Sequence, residues 1–151
     1  MKAEWYAFDA NVYIRYFRQG SYEALLLETL RKNRAYVLAP VLAELYAGTP
    51  DQEGKKRVDR FYQAASRADK VVFPDPSDWI QAGVLLRRYQ SRYGIIEARH
   101  HLMDALIAVL ASRIGAVLVT ENEIHMRKWQ MMLKASRRTL KLHIVYPVAG
   151  G

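Results

Sequence analysis

The 151-residue chain has no cysteine, which excludes disulfides, thiolate metal sites and a thiol nucleophile and suits a reducing cytosol. Any metal chemistry must therefore use oxygen or imidazole ligands. Long hydrophobic runs are missing as well. No stretch approaches the roughly 20 apolar residues of a membrane helix, and the Met-Lys start leads into a strand rather than a signal peptide. A soluble cytoplasmic protein without membrane contact is expected. Neither GxGxxG nor a P-loop occurs, which argues against a doubly wound domain built for a small phosphorylated ligand. There is also no internal repeat, low-complexity tract or linker, so one domain is expected over residues 1–147, with a short flexible tail at 148–151. Negative charge is in the minority. Lys and Arg number 23 against 15 Asp and Glu, a formal net charge of +8. That balance favours a polyanionic partner, nucleic acid first and an anionic membrane surface second.

What is present is a hydrophobic half, 51% of residues, enough for a sizeable core, arranged in short runs. Trp5-Tyr-Ala-Phe8 is too brief for a helix and fits a strand buried on both faces. Ala35–Ala39, Val71–Phe73, Ala116–Val119 and Leu142–Tyr146 read the same way. Helical spacing fills the intervals. An amphipathic helix covers Tyr22–Leu30, and another opens at Pro40 and ends at Gly48. A third starts at Thr49-Pro-Asp-Gln52, with Thr49 as cap. A long helix over Asp78–Tyr93 is capped by Asp75 or Ser77 and stopped by Gly94. Ile95–His101 reads as a loop, Leu102–Ala111 as a very apolar buried helix, and a basic helix runs from Glu123 to about Lys134. Strands alternating with helices predict a single three-layer α/β/α domain with a mostly parallel five-stranded sheet.

Right-handed crossovers point all five strands one way, so their carboxyl ends share one edge, where open α/β sheets bind ligands. Asp9 ends the first strand, as helix N-cap or as ligand. Thr120-Glu-Asn-Glu123 ends the fourth. Glu44 lies one turn into the helix leaving that edge, and Asp104 is placed in the first turn of the buried helix. Carboxylates gathered this closely repel, and one is driven to protonate unless a cation neutralises the set. Mg²⁺ or Mn²⁺ resolves that conflict, leaves positions open for phosphate oxygens and activates water. Together with the basic surface, this describes metal-dependent cleavage of a phosphodiester. Arg87, Arg88, Tyr89, Arg92 and Tyr93 combine basic and aromatic groups that suit RNA or, equally, pack on one another. Lys55-Lys-Arg57 is a solvated face or a phosphate contact. His100-His101 lacks zinc-ligand spacing.

At Phe8-Asp-Ala-Asn-Val12, Pro40-Val-Leu-Ala-Glu-Leu45, Asp104-Ala-Leu-Ile-Ala108 with Ala111, and Leu118-Val-Thr-Glu-Asn122, the sequence resembles the PIN-domain family. The resemblance is greatest to the VapC-like toxins of type II toxin–antitoxin pairs, and it covers nearly the whole chain. It implies a Mg²⁺- or Mn²⁺-dependent endoribonuclease acting on RNA, a homodimer silenced by an antitoxin protein whose C-terminal segment lies across the active site. The residues it carries over are Asp9, Glu44 and Asp104 as metal ligands or water activators. Thr120 and Asn122 match polar positions that support the site.

Two positions depart from the family pattern. Ala10 stands where a Ser or Thr often follows the first acid, and His125 and Met126 stand where the last motif commonly has Asp-Phe. The fourth acid is thus replaced. Glu121 or Glu123 swings in, His125 ligates a softer ion such as Mn²⁺, or the site holds one ion. The rival reading is a catalytically impaired PIN-like module that binds RNA or protein, and metal dependence separates the two.

Overall fold

The apolar runs and helical stretches form five strands and seven helices among the described residues, 3–95 and 98–147 of a computed structural model. In chain order these are β1 (Tyr6–Phe8), α1 (Ala10–Gln19), α2 (Glu23–Arg31), β2 (Ala35–Leu38), α3 (Ala39–Ala47) and α4 (Gln52–Arg67). They continue with β3 (Val71–Val72), α5 (Pro76–Tyr93), α6 (Ala98–Ile114), β4 (Val117–Thr120), α7 (Glu123–Ala135) and β5 (Lys141–Ile144). The sheet runs β3-β2-β1-β4-β5 and every pairing is parallel. The expected α/β architecture is therefore present, with an all-parallel sheet. The chain builds outward from β1 in one direction through β2 and β3, then crosses to β4 and β5. The strand order thus reverses between β1 and β4, the place where a crevice opens beyond the strand ends. Phe8 lies opposite Val119 in this register, which brings Asp9 level with Thr120.

The core explains why α6 carries almost no polar residue in its middle. Ala105 through Ala111 are all at most 1% exposed, and the helix packs on α5, α7 and α3 as well as on β2 and β4. A helix apolar on every side is stable only when enclosed on every side. None of the described helices is long and apolar enough to cross a membrane.

Several local expectations are corrected. Helix α6 begins at Ala98, so the loop expected over Ile95–His101 is already helical at its end, and Asp104 lies in the second turn instead of the first. The polar first turn, with His100 and His101, hid the start from a reading based on apolar spacing; residues 96 and 97 lie outside those described. Helix α4 is capped by Asp51, whose Oδ1 accepts from Gly54 N at 2.8 Å, while the Thr49 hydroxyl donates back to the Tyr46 carbonyl. Strand β5 starts one residue earlier than expected and ends at Ile144. The tail expected at 148–151 lies outside the described residues.

The long helix α5 is capped by Asp75 in a full capping box with Asp78, and Asp78 does a second job. Its side chain is fully buried and receives Arg113 Nε from the end of α6 at 3.0 and 3.1 Å. Removing one partner of a buried pair strands the other charge. Arg113→Ala is expected to lower stability by about 3 kcal/mol, seen as an earlier urea midpoint with an unchanged slope.

Candidate active site at the carboxyl edge

Asp9 leaves β1 with extended backbone and caps α1, its Oδ1 accepting from Ala10 N at 2.8 Å. The cap uses Oδ1 alone and leaves the other oxygen for contacts with the end of β4. Oδ2 accepts from the Thr120 hydroxyl at 2.7 Å, and Thr120 Oγ1 in turn accepts from Asn122 N at 3.0 Å. Asp9 is 3% exposed and Thr120 fully buried. Burial pushes the Asp9 carboxyl up to about 6, opposed by the Thr120 hydrogen bond and reinforced by the charge of Asp104.

Glu44 reaches the same crevice from α3. Half-buried, it is pushed up to about 7, first by desolvation and then by repulsion from Asp9 and Asp104. Asp104, from α6, is also raised by burial, against the opposing influence of His101. Three elements that are distant in sequence therefore bring three mutually repelling carboxyls together. The remaining acids of the cluster are engaged elsewhere. Glu121 pairs with Arg15 and accepts from the Tyr22 hydroxyl. Glu123 lies 3.6 Å from Arg127 and accepts from the Tyr146 hydroxyl at 3.1 Å.

His125 places Nδ1 3.2 Å from the Asn122 side-chain oxygen and its ring 5.5 Å from that of His101. Burial, then repulsion from His101 and Lys128, holds it below the usual imidazole range. Two residues beside these acids are not among the candidates taken from the sequence: Asn11 stands there only within a motif, and His101 is weighed only as half of a zinc pair. The Asn11 amide reaches Asp9 Oδ2 and Thr120 Oγ1, each at 3.4 Å, while its oxygen accepts from Glu121 N at 3.2 Å. It thus joins β1 to the loop after β4. His101 stacks on Tyr89 and lies tilted against His125, its Nδ1 buried without a hydrogen-bond partner. Asn11 carried the signal of a polar residue two positions after the strand-end acid; His101 carried none beyond its doubled imidazole.

The segment singled out for RNA divides. Tyr89 is buried against Tyr93, His101 and Trp129, and Arg88 donates to the Met132 carbonyl and the Ser136 hydroxyl, leaving Arg87 and Arg92 exposed. The Lys55-Lys-Arg57 run is a solvated face tied to Asp59, Glu53 and the Phe17 carbonyl.

A family model described as PIN domain matches residues 6–128. The chain belongs to the PIN-domain family. Solved structures with the same PIN fold include VapBC2 from Rickettsia felis bound to a promoter DNA fragment, at 23% identity and TM-score 0.64, covering 93% of this chain and 98% of that one. DNA-bound VapBC from Salmonella typhimurium matches at 16% identity and TM-score 0.67, over 94% and 98%. FitAcB from Neisseria gonorrhoeae matches at 19% identity and TM-score 0.62, over 90% and 94%. At these identities the likeness is one of fold. No curated protein matches the sequence.

In this PIN domain the Thr120 hydroxyl bond opposes the upward push that burial gives the Asp9 carboxyl. Thr120→Val removes the hydroxyl donor and leaves Asn122 N unpaired. The Asp9 carboxyl is then expected to titrate higher still, visible by carbon-detected NMR, with a stability loss of about 1–2 kcal/mol.

Proposed function

We propose that this PIN domain is a metal-dependent endoribonuclease that hydrolyses RNA phosphodiester bonds, acting as the toxin of a toxin–antitoxin pair. The observation that carries the reading is the convergence of Asp9 after β1, Glu44 on α3 and Asp104 on α6, close enough that the charges of Asp9 and Asp104 both act on Glu44. Their chemistry fits a hard cation, since all donors are carboxylate oxygens. Among the described residues no three acids or histidines stand as a ready-made cage. That is consistent with carboxyls that repel one another and take up protons while no positive charge is between them. Asp9, Glu44 and Asp104 would hold Mg²⁺ or Mn²⁺, which when bound neutralises phosphate charge and acidifies water for in-line attack, leaving a 3′-hydroxyl and a 5′-phosphate.

The chain's own groups supply orientation and proton handling. The Thr120 hydroxyl and Ala10 N fix both oxygens of Asp9, and Asn11 ties that carboxylate to the loop after β4. Glu44, half-buried beside Asp9 and Asp104, would hold the ion or accept the proton of the attacking water. Asn122 positions His125 through its side-chain oxygen. His125 occupies the place of the family's fourth acid, and that favours the second reading, a catalytically impaired module that binds RNA or protein.

An antitoxin protein is the proposed partner, on the precedent of the VapBC and FitAcB structures, and a homodimer on that of the family resemblance. A groove of about 210 Å³ between α1, α3 and α4 is lined by Ile14, Phe17, Leu45 and Val58 and edged by Arg18 and Arg57 as well as Asp51 and Glu53, and suits an apolar segment. The deciding experiment is cleavage of end-labelled structured RNA in Mn²⁺, in Mg²⁺ and in chelator, beside an identically purified Asp9→Asn variant. Cutting that needs both the ion and Asp9 supports the nuclease. Metal-independent RNA binding without cutting replaces it with the impaired module.

A further inference from the structure

The opposite, amino edge of the sheet carries a second concentration of charge. Helices α6 and α7 both end there, and β4 and β5 both begin there. Their junction forms an open depression of about 440 Å³ lined by Ser112, Arg113, Arg137, Arg138, Thr139 and Lys141, along with Gly115. It has four cations, no acid and no large apolar side chain in its wall. An adjoining hollow shares Arg138 and Thr139 and adds Lys134 and Gln130. Arg113 is committed to Asp78, and Lys141 makes an exposed pair with Glu4 at 2.9 Å. Lys134, Arg137 and Arg138 have no side-chain ion pair or hydrogen bond among the described residues.

The backbone adds an independent sign. Just past α7, Arg137 sits at φ 60, closing the helix with N–H bonds from Arg137 to the Lys134 carbonyl and from Arg138 to the Leu133 carbonyl, both 3.0 Å. That left-handed position belongs by preference to glycine or asparagine. A long cation holds it here at a conformational cost, and such outliers point to a use for the side chain.

We propose that Lys134, Arg137, Arg138 and Lys141 form a second docking surface that grips the phosphate backbone of a folded RNA whose scissile bond lies at the opposite edge. The inference rests on the ribonuclease reading. Asp104 and Arg113 are nine residues apart on α6, about 14 Å along the axis, so the two sites lie on opposite edges of the sheet. The two adjacent phosphodiesters of a trinucleotide do not span both sites; a stem does. The surface therefore selects folded over short RNA by contacts that carry no sequence information.

The test uses the full chain with Arg137→Gly and Arg138→Gln combined, a fluorescent RNA stem-loop and a trinucleotide, over a salt series. Stem-loop affinity should fall about tenfold, and the slope of log affinity against log salt should become shallower by about 2. Trinucleotide cleavage should not change, and the melting temperature should hold or rise because glycine relieves the left-handed position. Unchanged stem-loop affinity and slope overturn the docking surface, as does loss of binding to anionic lipid vesicles with RNA binding intact. If the wild type binds no stem-loop, docking falls while trinucleotide cleavage still supports the nuclease. If no RNA is cut yet the slope becomes shallower as expected, docking stands and the nuclease reading falls.

Discussion

Asp9→Asn is expected to lower RNA cleavage by roughly 10³-fold or more while raising the melting temperature. Activity falls because the amide cannot supply the anionic oxygen that the crevice presents beside Glu44 and Asp104. Stability moves the other way for a reason that can be signed. Folding raises the Asp9 carboxyl from 3.8 to about 6, so between those values the folded chain binds more protons than the unfolded one. The group's stabilising contribution is complete below about pH 4 and is lost as pH rises through 6, leaving an ionised carboxylate buried at a cost above that. Asparagine removes the charge, and its oxygen still caps α1 as well as aspartate does. The gain at pH 7.5 should be on the order of 1–3 kcal/mol, or a few degrees in this size of protein. Asp9→Ala is the control: it loses the cap and the Thr120 bond and should melt lower. Paired calorimetry and cleavage assays decide it. An Asp9→Asn protein that melts lower and still cuts RNA would remove Asp9 from the mechanism and leave it as a cap.

Chelation of divalent ions should abolish cleavage altogether, with Mn²⁺ or Mg²⁺ restoring it, and the same ions should stabilise the fold. A ligand that binds only the native state at a hundred times its dissociation constant adds about 2.7 kcal/mol, which corresponds to roughly 5–10 °C here. The pH dependence follows from the raised carboxyls. Near pH 5.5 Asp9 and Glu44 are largely protonated, with values of about 6 and about 7, and protons compete with the ion. Near pH 8 both are ionised and the shift should be largest. Melting in chelator, Mg²⁺ and Mn²⁺ at both pH values measures this, and the shift should shrink sharply in Asp9→Asn. An ion effect that is equal at both pH values, or equal in the variant, would place the cation somewhere other than these carboxyls.

The short strands were readable because a strand buried on both faces is apolar at every position, so Tyr6–Phe8, Ala35–Leu38 and Val117–Thr120 stand out by composition. The cap of α5 was narrowed to Asp75 or Ser77 because cap chemistry is local: the partner of Asp75 is Asp78, three residues away. Locality also explains the misses. Thr49, Pro50 and Asp51 offer two side chains for one cap, and the choice of Asp51 follows from where α4 begins, which packing sets. The start of α6 was concealed because Ala98–His101 shows no apolar period. For Tyr89 the sequence left stacking on RNA and packing equally open, and packing against Trp129, a neighbour 40 residues on, decided it.

The sequence by itself determined the alternation of strand and helix, the positive surplus, and the delivery of Asp9, Glu44 and Thr120 to one edge, because each follows from short-range pattern plus the one-way direction of parallel strands. It also supplied the motifs that mark a PIN domain. Only the tertiary structure decided which oxygen meets which donor. The Thr120 hydroxyl on Asp9 joins residues 111 positions apart, and the Arg15 and Tyr22 contacts to Glu121 join residues 106 and 99 apart. Asn11's bridge, the engagement of Glu121 and Glu123 away from the crevice, and the meeting of Arg137, Arg138 and Lys141 at the far edge are decided the same way. Such contacts depend on strand order, register and helix packing, and these emerge only when the whole core closes.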